Sequence, residues 1–231
     1  MESAELRELL TPEGVELLDS LPPYTSSTDV LKIVAGLRKD GYSASLVATV
    51  LTQAKLRSKA ATKFGDFAQR MLFTEAGLEQ ATRLPVAALH AGRYVRVGLT
   101  SVADLGCGIG ADALAFAGAG LQVHAVDADE VTAAITTYNL SPFPEARVSH
   151  GTAEETDLSD VESVYLDPAR RTSGHTHTNR LANAEDYSPS LDFAFGLAEK
   201  LPTGIKLGPG FDEEAAREHV LYTRSLLDSM R

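Results

Sequence analysis

The stretch 101–129, SVADLGCGIGADALAFAGAGLQVHAVDAD, decides the fold. It holds two short apolar runs, 101–105 and 122–126, on either side of a small, apolar segment with helical character, 111–119. Short apolar strands that alternate with a helix predict a βαβ unit of a parallel sheet. The stretch therefore places the centre of the chain in the α/β class.

Glycines and acids follow these two runs at the positions where a cofactor would lie. Gly106, Gly108 and Gly110 come directly after the first run, which ends around Asp104, and Asp127 ends the second. Glycines at a turn from strand to helix let the backbone approach a ligand closely. An acid about twenty residues further on is placed to bind a ribose diol. Dinucleotide enzymes carry G-x-G-x-x-G here, whereas this chain has G-x-G-x-G.

The remaining strand signals extend the unit into a doubly wound, Rossmann-like sheet of expected order 3-2-1-4-5. Residues 1–98 carry helix signals and almost no strand signals, which predicts an N-terminal helical domain followed by a cofactor-binding domain over 99–231. Strands six and seven are uncertain or missing, because 212–229 has a helical pattern, so we expect a domain truncated at its C-terminus. The five strand runs are 101–105, 122–126, 146–150, 163–166 and 204–207.

Composition limits the class of protein. The 231 residues include 44% hydrophobic and 23% charged side chains, as in ordinary globular proteins. A net charge of −11 argues against a general nucleic-acid binder. The single cysteine, Cys107, excludes an intramolecular disulfide and fits a reducing compartment. No apolar run reaches membrane-spanning length and no signal peptide opens the chain, so we expect a cytoplasmic protein without a membrane partner.

Several motifs resemble those of one enzyme family. DLGCGIG resembles motif I of class I S-adenosylmethionine-dependent methyltransferases, and VDAD resembles their second motif. Together with FTEAGLEQAT, YLDPARRT, DYSPS and KLGPG, these strings resemble a bacterial methyltransferase family that carries a C-terminal THUMP-like domain, which is absent here. That family is distantly similar to the trimethylguanosine synthases, which methylate guanine N2 in RNA caps.

The resemblance implies S-adenosylmethionine as cofactor. Asp104 and the glycines would face its amino-acid end, Asp127 its ribose, and the region around Ala153 its adenine. The segment 73–82, directly before motif I, would contribute further contacts. The expected cofactor-binding residues are Thr74, Gln80, Thr82, Asp104, Gly106, Gly108, Gly110, Asp127, Ala128, Ala153 and Glu154.

The string Asp167-Pro168-Ala169-Arg170 occupies the position of the amine methyltransferase motif, an acid or amide followed by Pro-Pro-aromatic. In that motif an acceptor side chain and a carbonyl hold the two hydrogens of an exocyclic amine and direct its lone pair at the methyl group. We therefore predict Asp167, Pro168 and Arg170 as the catalytic residues, with Arg170 in place of the aromatic residue. DPAR also resembles the DPPR of RNA uracil-5-methyltransferases, but those need a separate cysteine nucleophile, and the only cysteine lies in the cofactor turn.

These features predict an S-adenosylmethionine-dependent methyltransferase that N-methylates an exocyclic amine of a base in RNA. The basic stretch 55–70 is either a solvated helix face or a phosphate-facing patch for RNA. Two other functions stay open: a non-catalytic S-adenosylmethionine-binding module that acts with a partner domain, and a nucleotide-dependent oxidoreductase. His175 and His177 form an H-x-H pair without further ligands, so no metal site is predicted.

Overall fold

The structure is a computed structural model that describes residues 1–22, 27–170 and 187–207. The H-x-H pair at 175 and 177, Arg171 and the predicted final helix at 212–229 lie outside the described residues. Within the described residues, no helix is long and apolar enough to cross a membrane.

Helices fill the described part of the chain before residue 101, as predicted. Thr11 and Ser43 act as N-caps, with side chains that accept from the backbone N–H of Gly14 and Leu46 at 3.1 and 2.9 Å. Each cap satisfies one of the N–H groups that the first turn of a helix leaves unpaired. The helices are α1 (Ser3–Leu9), α2 (Pro12–Ser20), α3 (Ser27–Lys39), α4 (Ala44–Phe64), a 3-10 helix (Gly65–Arg70), α5 (Glu75–Gln80) and α6 (Leu84–Arg96).

A parallel sheet with helices follows. Its elements are β1 (Ser101–Leu105), α7 (Ala111–Gly118), β2 (Gln122–Asp127), α8 (Glu130–Leu140), β3 (Ala146–His150), β4 (Val164–Leu166), β5 (Ala169–Arg170), β6 (Tyr187–Ser188), α9 (Leu191–Ala198) and β7 (Thr203–Ile205). The five-stranded sheet has the order β3-β2-β1-β4-β7, and every pair in it is parallel. Because β7 is the fifth strand of this sheet, the predicted α/β class and the order 3-2-1-4-5 are confirmed.

Two short strands form a second ladder that the sequence pattern did not predict. Ala169 pairs with Ser188 and Arg170 with Tyr187, in antiparallel register. Neither segment is among the strand runs predicted from the sequence. Two-residue strands carry no hydrophobic periodicity, so only the pairing of distant segments reveals them. The ladder brings Ser188 and the cis-bonded Pro189 next to the end of β4.

Buried polar side chains fix the extended segment 71–73 between the helical region and the sheet. Gln53 of α4 accepts from the N–H of Phe73 at 3.0 Å and donates to its carbonyl at 2.8 Å. Asn139 of α8 accepts from the N–H of Leu72 at 2.7 Å and donates to the carbonyl of Ile109 at 2.9 Å. Buried backbone groups need such partners. These bonds set α5 beside the glycine turn, and one hydrophobic cluster includes buried residues from both sides of residue 98.

Candidate functional site

A cavity of about 280 Å³ opens at the carboxyl ends of β1, β2 and β4. Open α/β sheets bind ligands at this end, where the strand order reverses. Ten of the residues predicted for the site line the cavity: Gln80, Thr82, Asp104, Gly106, Gly108, Asp127, Ala128, Ala153, Glu154 and Asp167.

Four predicted residues lie elsewhere among the described part of the chain. Thr74 caps α5, since its hydroxyl accepts from the N–H of Gly77 at 2.9 Å. Gly110 is the N-cap of α7, and Pro168 is buried without lining the cavity. Arg170 belongs to β5. Thr74 and Gly110 therefore act on the backbone that surrounds the cavity.

The three glycines of the turn meet two different needs. All have positive φ, at +79°, +56° and +83° for Gly106, Gly108 and Gly110, which L side chains rarely adopt. A Cβ on Gly108 would have no protein atom within 4 Å, whereas one on Gly110 would lie 2.9 Å from Thr136 Cγ2. Gly108 therefore keeps the cavity side of the turn open, and Gly110 permits close packing of the turn on α8.

Asp127 holds this turn in place. One carboxylate oxygen accepts from the N–H of Gly108 and the other from the N–H of Asp129, both at 2.9 Å. Burial raises the pKa of Asp127, and the two N–H groups oppose that rise. The acid thus lines the cavity with both oxygens already fixed by the backbone, and each oxygen retains a lone pair for a ligand.

Asp104 presents a carboxyl oxygen without a partner to the cavity. The residue is 2% exposed, and its Oδ2 has no hydrogen-bond partner among the described residues. Burial raises the pKa of Asp104 well above its usual value, and the neighbouring Asp112 and Asp167 raise it further. A buried carboxylate oxygen without a partner is costly unless a ligand supplies one. The site therefore fits a ligand with a cationic hydrogen-bond donor.

A second acid in the cavity belongs to a network that the sequence analysis missed. Asp112, 6% exposed, accepts from Thr82 Oγ1 at 2.6 Å, and its Oδ1 lies 2.8 Å from His90 Nδ1. The same His90 nitrogen lies 3.0 Å from the hydroxyl of Tyr165. Asp112 stands alone among small apolar residues in ADALAFAG, and that isolated charge was the available signal.

Lys206 is the other missed residue. Its ammonium forms an ion pair with Asp167 Oδ2 and donates to Thr82 Oγ1 at 3.0 Å. Burial raises the pKa of Asp167, while the hydrogen bond and positive charge of Lys206 lower it. Lys206 is the charged residue that follows the last strand in TGIKLGPG, but no local pattern names its partner.

Two basic side chains of the stretch 55–70 form hydrogen bonds or ion pairs with other groups of the protein. Arg57, 4% exposed, donates to the carbonyl of Met71 at 3.0 Å and pairs with Asp19 at 2.8 Å. Lys63 donates to the carbonyls of Leu78, Glu79 and Ala81 at 2.7 to 2.8 Å. The stretch is therefore neither a uniform solvated face nor a uniform phosphate-facing patch. Lys63 instead satisfies the C-terminal end of α5, next to the cavity.

Comparisons with known proteins identify relatives of the chain. The chain is 32% identical over 170 residues to an uncharacterized S-adenosylmethionine-dependent methyltransferase of Mycobacterium tuberculosis, recorded in two strains. The match covers 70% of this chain and 45% of the relative, so the chain spans less than half the length of the curated relatives it matches. Residues 2–60 match a family described as a domain of unknown function, DUF8688.

A crystal structure of a candidate methyltransferase from Porphyromonas gingivalis shares the fold. Its TM-score is 0.61 at 20% identity, over 81% of this chain and 51% of that chain. At this identity the likeness concerns the fold alone. The Rossmann-like fold of class I methyltransferases is thus confirmed. The curated relatives are named as S-adenosylmethionine-dependent methyltransferases, which agrees with the enzyme class and the cofactor predicted from the sequence.

Proposed function

We propose that the cavity binds S-adenosylmethionine and that this chain transfers the methyl group of that cofactor to a nitrogen of its substrate. The observation that carries the proposal is the buried, unpartnered Oδ2 of Asp104 beside the glycine turn. S-adenosylmethionine supplies a methyl group activated by a positively charged sulfur, and its amino-acid end carries an ammonium group. The lining of the cavity suits such a ligand, because it combines carboxylates, which accept hydrogen bonds, with an open glycine backbone.

In this proposal each part of the cavity holds one part of the cofactor. Asp104 accepts from the ammonium group, and Asp127 accepts from the ribose hydroxyls with its remaining lone pairs. Ala153 and Glu154 lie beside the adenine. Gln80 and Thr82, at the end of α5, close the methionine side. Their place in the cavity lining supports these assignments.

The proposed chemistry at the substrate depends on Asp167. Its Oδ2 is held by Lys206, and among the described residues no donor reaches its Oδ1. Oδ1 is therefore available to accept a hydrogen from an exocyclic amine of a base. Pro168 cannot donate a backbone hydrogen bond, so it does not compete for the acceptors there. The chain then contributes orientation, which can supply about 7–11 kcal/mol in well-aligned cases.

The proposed substrate is RNA, in line with the THUMP-like family and the trimethylguanosine synthases that the sequence resembles. With Arg57 and Lys63 used internally, the exposed Lys55, Lys59 and Arg70 are left as contacts for phosphate groups. Arg170 is the proposed contact for the substrate near Asp167. A THUMP-like domain in a longer protein would add to this surface. A boundary at residue 98 between the helical domain and the cofactor-binding domain, and a cytoplasmic location, are also parts of this proposal.

Calorimetry and a transfer assay test this function. We expect S-adenosylmethionine and S-adenosylhomocysteine to bind, and NAD and NADP not to bind. We also expect labelled methyl to pass from the cofactor to a pool of unmodified RNA transcripts. Binding of NAD in place of S-adenosylmethionine would indicate an oxidoreductase. Cofactor binding without transfer, in this chain and in a full-length relative, would indicate a non-catalytic module.

A further inference from the structure

The sheet register sets Lys206 opposite Asp167. Strands β4 and β7 are parallel neighbours in which Leu166 pairs with Ile205, and the N–H of Lys206 donates to the carbonyl of Leu166 at 2.8 Å. Asp167 directly follows β4 and Lys206 directly follows β7, so both side chains leave the sheet at the same level. Their ion pair follows from backbone pairing as well as from charge. It is therefore a fixed feature of the site.

Lys206 also contacts the segment that lines the opposite wall of the cavity. Its ammonium donates to Thr82 Oγ1 at 3.0 Å, and that hydroxyl donates to Asp112 at 2.6 Å. Within the described residues, Lys206 is the only Lys or Arg that forms an ion pair with an acid of the cavity. One side chain thus joins the proposed substrate acid to the proposed cofactor segment.

We propose that Lys206 is a positioning residue for Asp167: it holds the carboxylate through Oδ2, leaves Oδ1 to accept from the substrate amine, and ties this arrangement to Thr82. The inference rests on the proposed function, because it assigns Asp167 to the substrate. Lys206 itself need not touch the reacting atoms. Its action is to fix the direction and the charge of the acid beside it.

The surroundings of Asp167 explain why a cation is needed there. Burial is the main influence that raises the pKa of Asp167, and Asp112 adds to it. Lys206 opposes the rise most strongly, with a smaller contribution from His90. A protonated Asp167 would donate a hydrogen where the substrate amine also donates, so the amine would lose its acceptor. The charged and titratable groups that interact with Asp167 from neighbouring elements are Lys206, Asp112, His90, Asp104 and Tyr165.

Unfolding experiments on the whole chain test the pair without a substrate. The variants are Lys206→Met, Lys206→Arg and the double variant Asp167→Asn/Lys206→Met, with Lys200→Met as the control at an exposed lysine near β7. When a carboxyl group has a higher pKa in the folded protein than in the unfolded chain, the protein loses stability as pH rises through the folded pKa. Without Lys206 that folded pKa rises further, because the hydrogen bond and the positive charge that lower it are lost. The loss of stability in Lys206→Met then extends to higher pH than in the wild-type protein.

We expect the urea midpoint of Lys206→Met to fall below that of the wild-type protein between pH 5 and 8, with a deficit that grows with pH. Lys206→Arg should keep most of the wild-type pH dependence. The double variant should remove the pH-dependent deficit, because no carboxylate is left unpaired. A deficit that is equal at every pH, or that persists in the double variant, would overturn the inference.

Cofactor binding and turnover separate this inference from the proposed function. We expect Lys206→Met to bind S-adenosylmethionine within about threefold of wild type and to transfer methyl to the RNA pool at least about tenfold more slowly, with partial recovery in Lys206→Arg. A loss of affinity as large as the loss of rate would make Lys206 a cofactor residue and overturn the positioning role. If the wild-type chain binds no S-adenosylmethionine, the proposed function fails, while the unfolding data still decide whether Lys206 controls Asp167.

Discussion

Replacing Asp104 with asparagine should weaken cofactor binding while leaving the free protein as stable or more stable. Asparagine has nearly the same shape, so the change opens no cavity in a residue that is 2% exposed. It removes the charge of an oxygen, Oδ2, that has no partner among the described residues. The amide atom that replaces Oδ2 is still buried and polar, but it is neutral, and a buried charge without a partner costs more than a buried neutral group, so the exchange should not destabilise the fold.

The effect on binding has the opposite sign. A hydrogen bond to a charged group contributes about 1.5–3 kcal/mol, which corresponds to roughly a 10- to 150-fold change in affinity. We expect Asp104→Asn to weaken S-adenosylmethionine binding by that factor in calorimetry. Asp160→Asn, at an acid whose side chain is 73% exposed, is the matched control and should bind as wild type.

The pH dependence of stability provides a second measurement. The pKa of Asp104 is raised in the folded state, so the folded protein binds more protons than the unfolded chain between the unfolded and folded values. Wild-type stability therefore falls as pH rises through that window, and the gain from Asp104→Asn should grow with pH. A cationic ligand lowers this pKa, so wild-type binding should release a proton that the variant does not release. Unchanged affinity in Asp104→Asn, with unchanged proton release, would refute the assignment.

Three further changes test the remaining parts of the site. Asp127→Ala should weaken S-adenosylmethionine binding at least about tenfold in calorimetry, because it removes the proposed ribose acceptor; unchanged affinity would exclude that role. Gly108→Ala and Gly110→Ala both place an L side chain at positive φ, so both should lower the free energy of unfolding, but Gly110→Ala should lower it by about 1–3 kcal/mol more, because its Cβ overpacks against Thr136. Gly108→Ala should have the larger effect on cofactor affinity, since its Cβ enters the open side of the turn; the reverse order in calorimetry and urea unfolding would contradict the geometry. Lys63→Met should lower the thermal midpoint of unfolding and should weaken cofactor binding several-fold, because three carbonyls around α5 lose their donor, while Lys59→Met, at an exposed lysine one turn earlier, should change neither.

Local sequence patterns were sufficient for the sheet and for most of the cavity lining. Apolar runs of strand length, separated by helical segments, determine parallel strands, and glycines after the first strand determine an open turn. Asp104 and Asp127 could be placed because Asp127 ends β2 and Asp104 lies one residue before the end of β1, and the carboxyl ends of parallel strands meet at one edge. The caps at Thr11, Ser43 and Asp129 follow from bonds that reach only three residues along the chain.

Contacts between distant segments were decided only by the tertiary structure. Lys206 meets Asp167 across 39 positions and Thr82 across 124, and no local pattern encodes such a pair. The same is true of Asp112 with His90, and of the paired strands β5 and β6. Periodicity reports which face of an element is buried, but a charge is satisfied by whichever group the fold brings within about 3 Å. The sequence therefore determined where the cavity lies, and the packing of β7 and α6 around it determined which charges face each other inside.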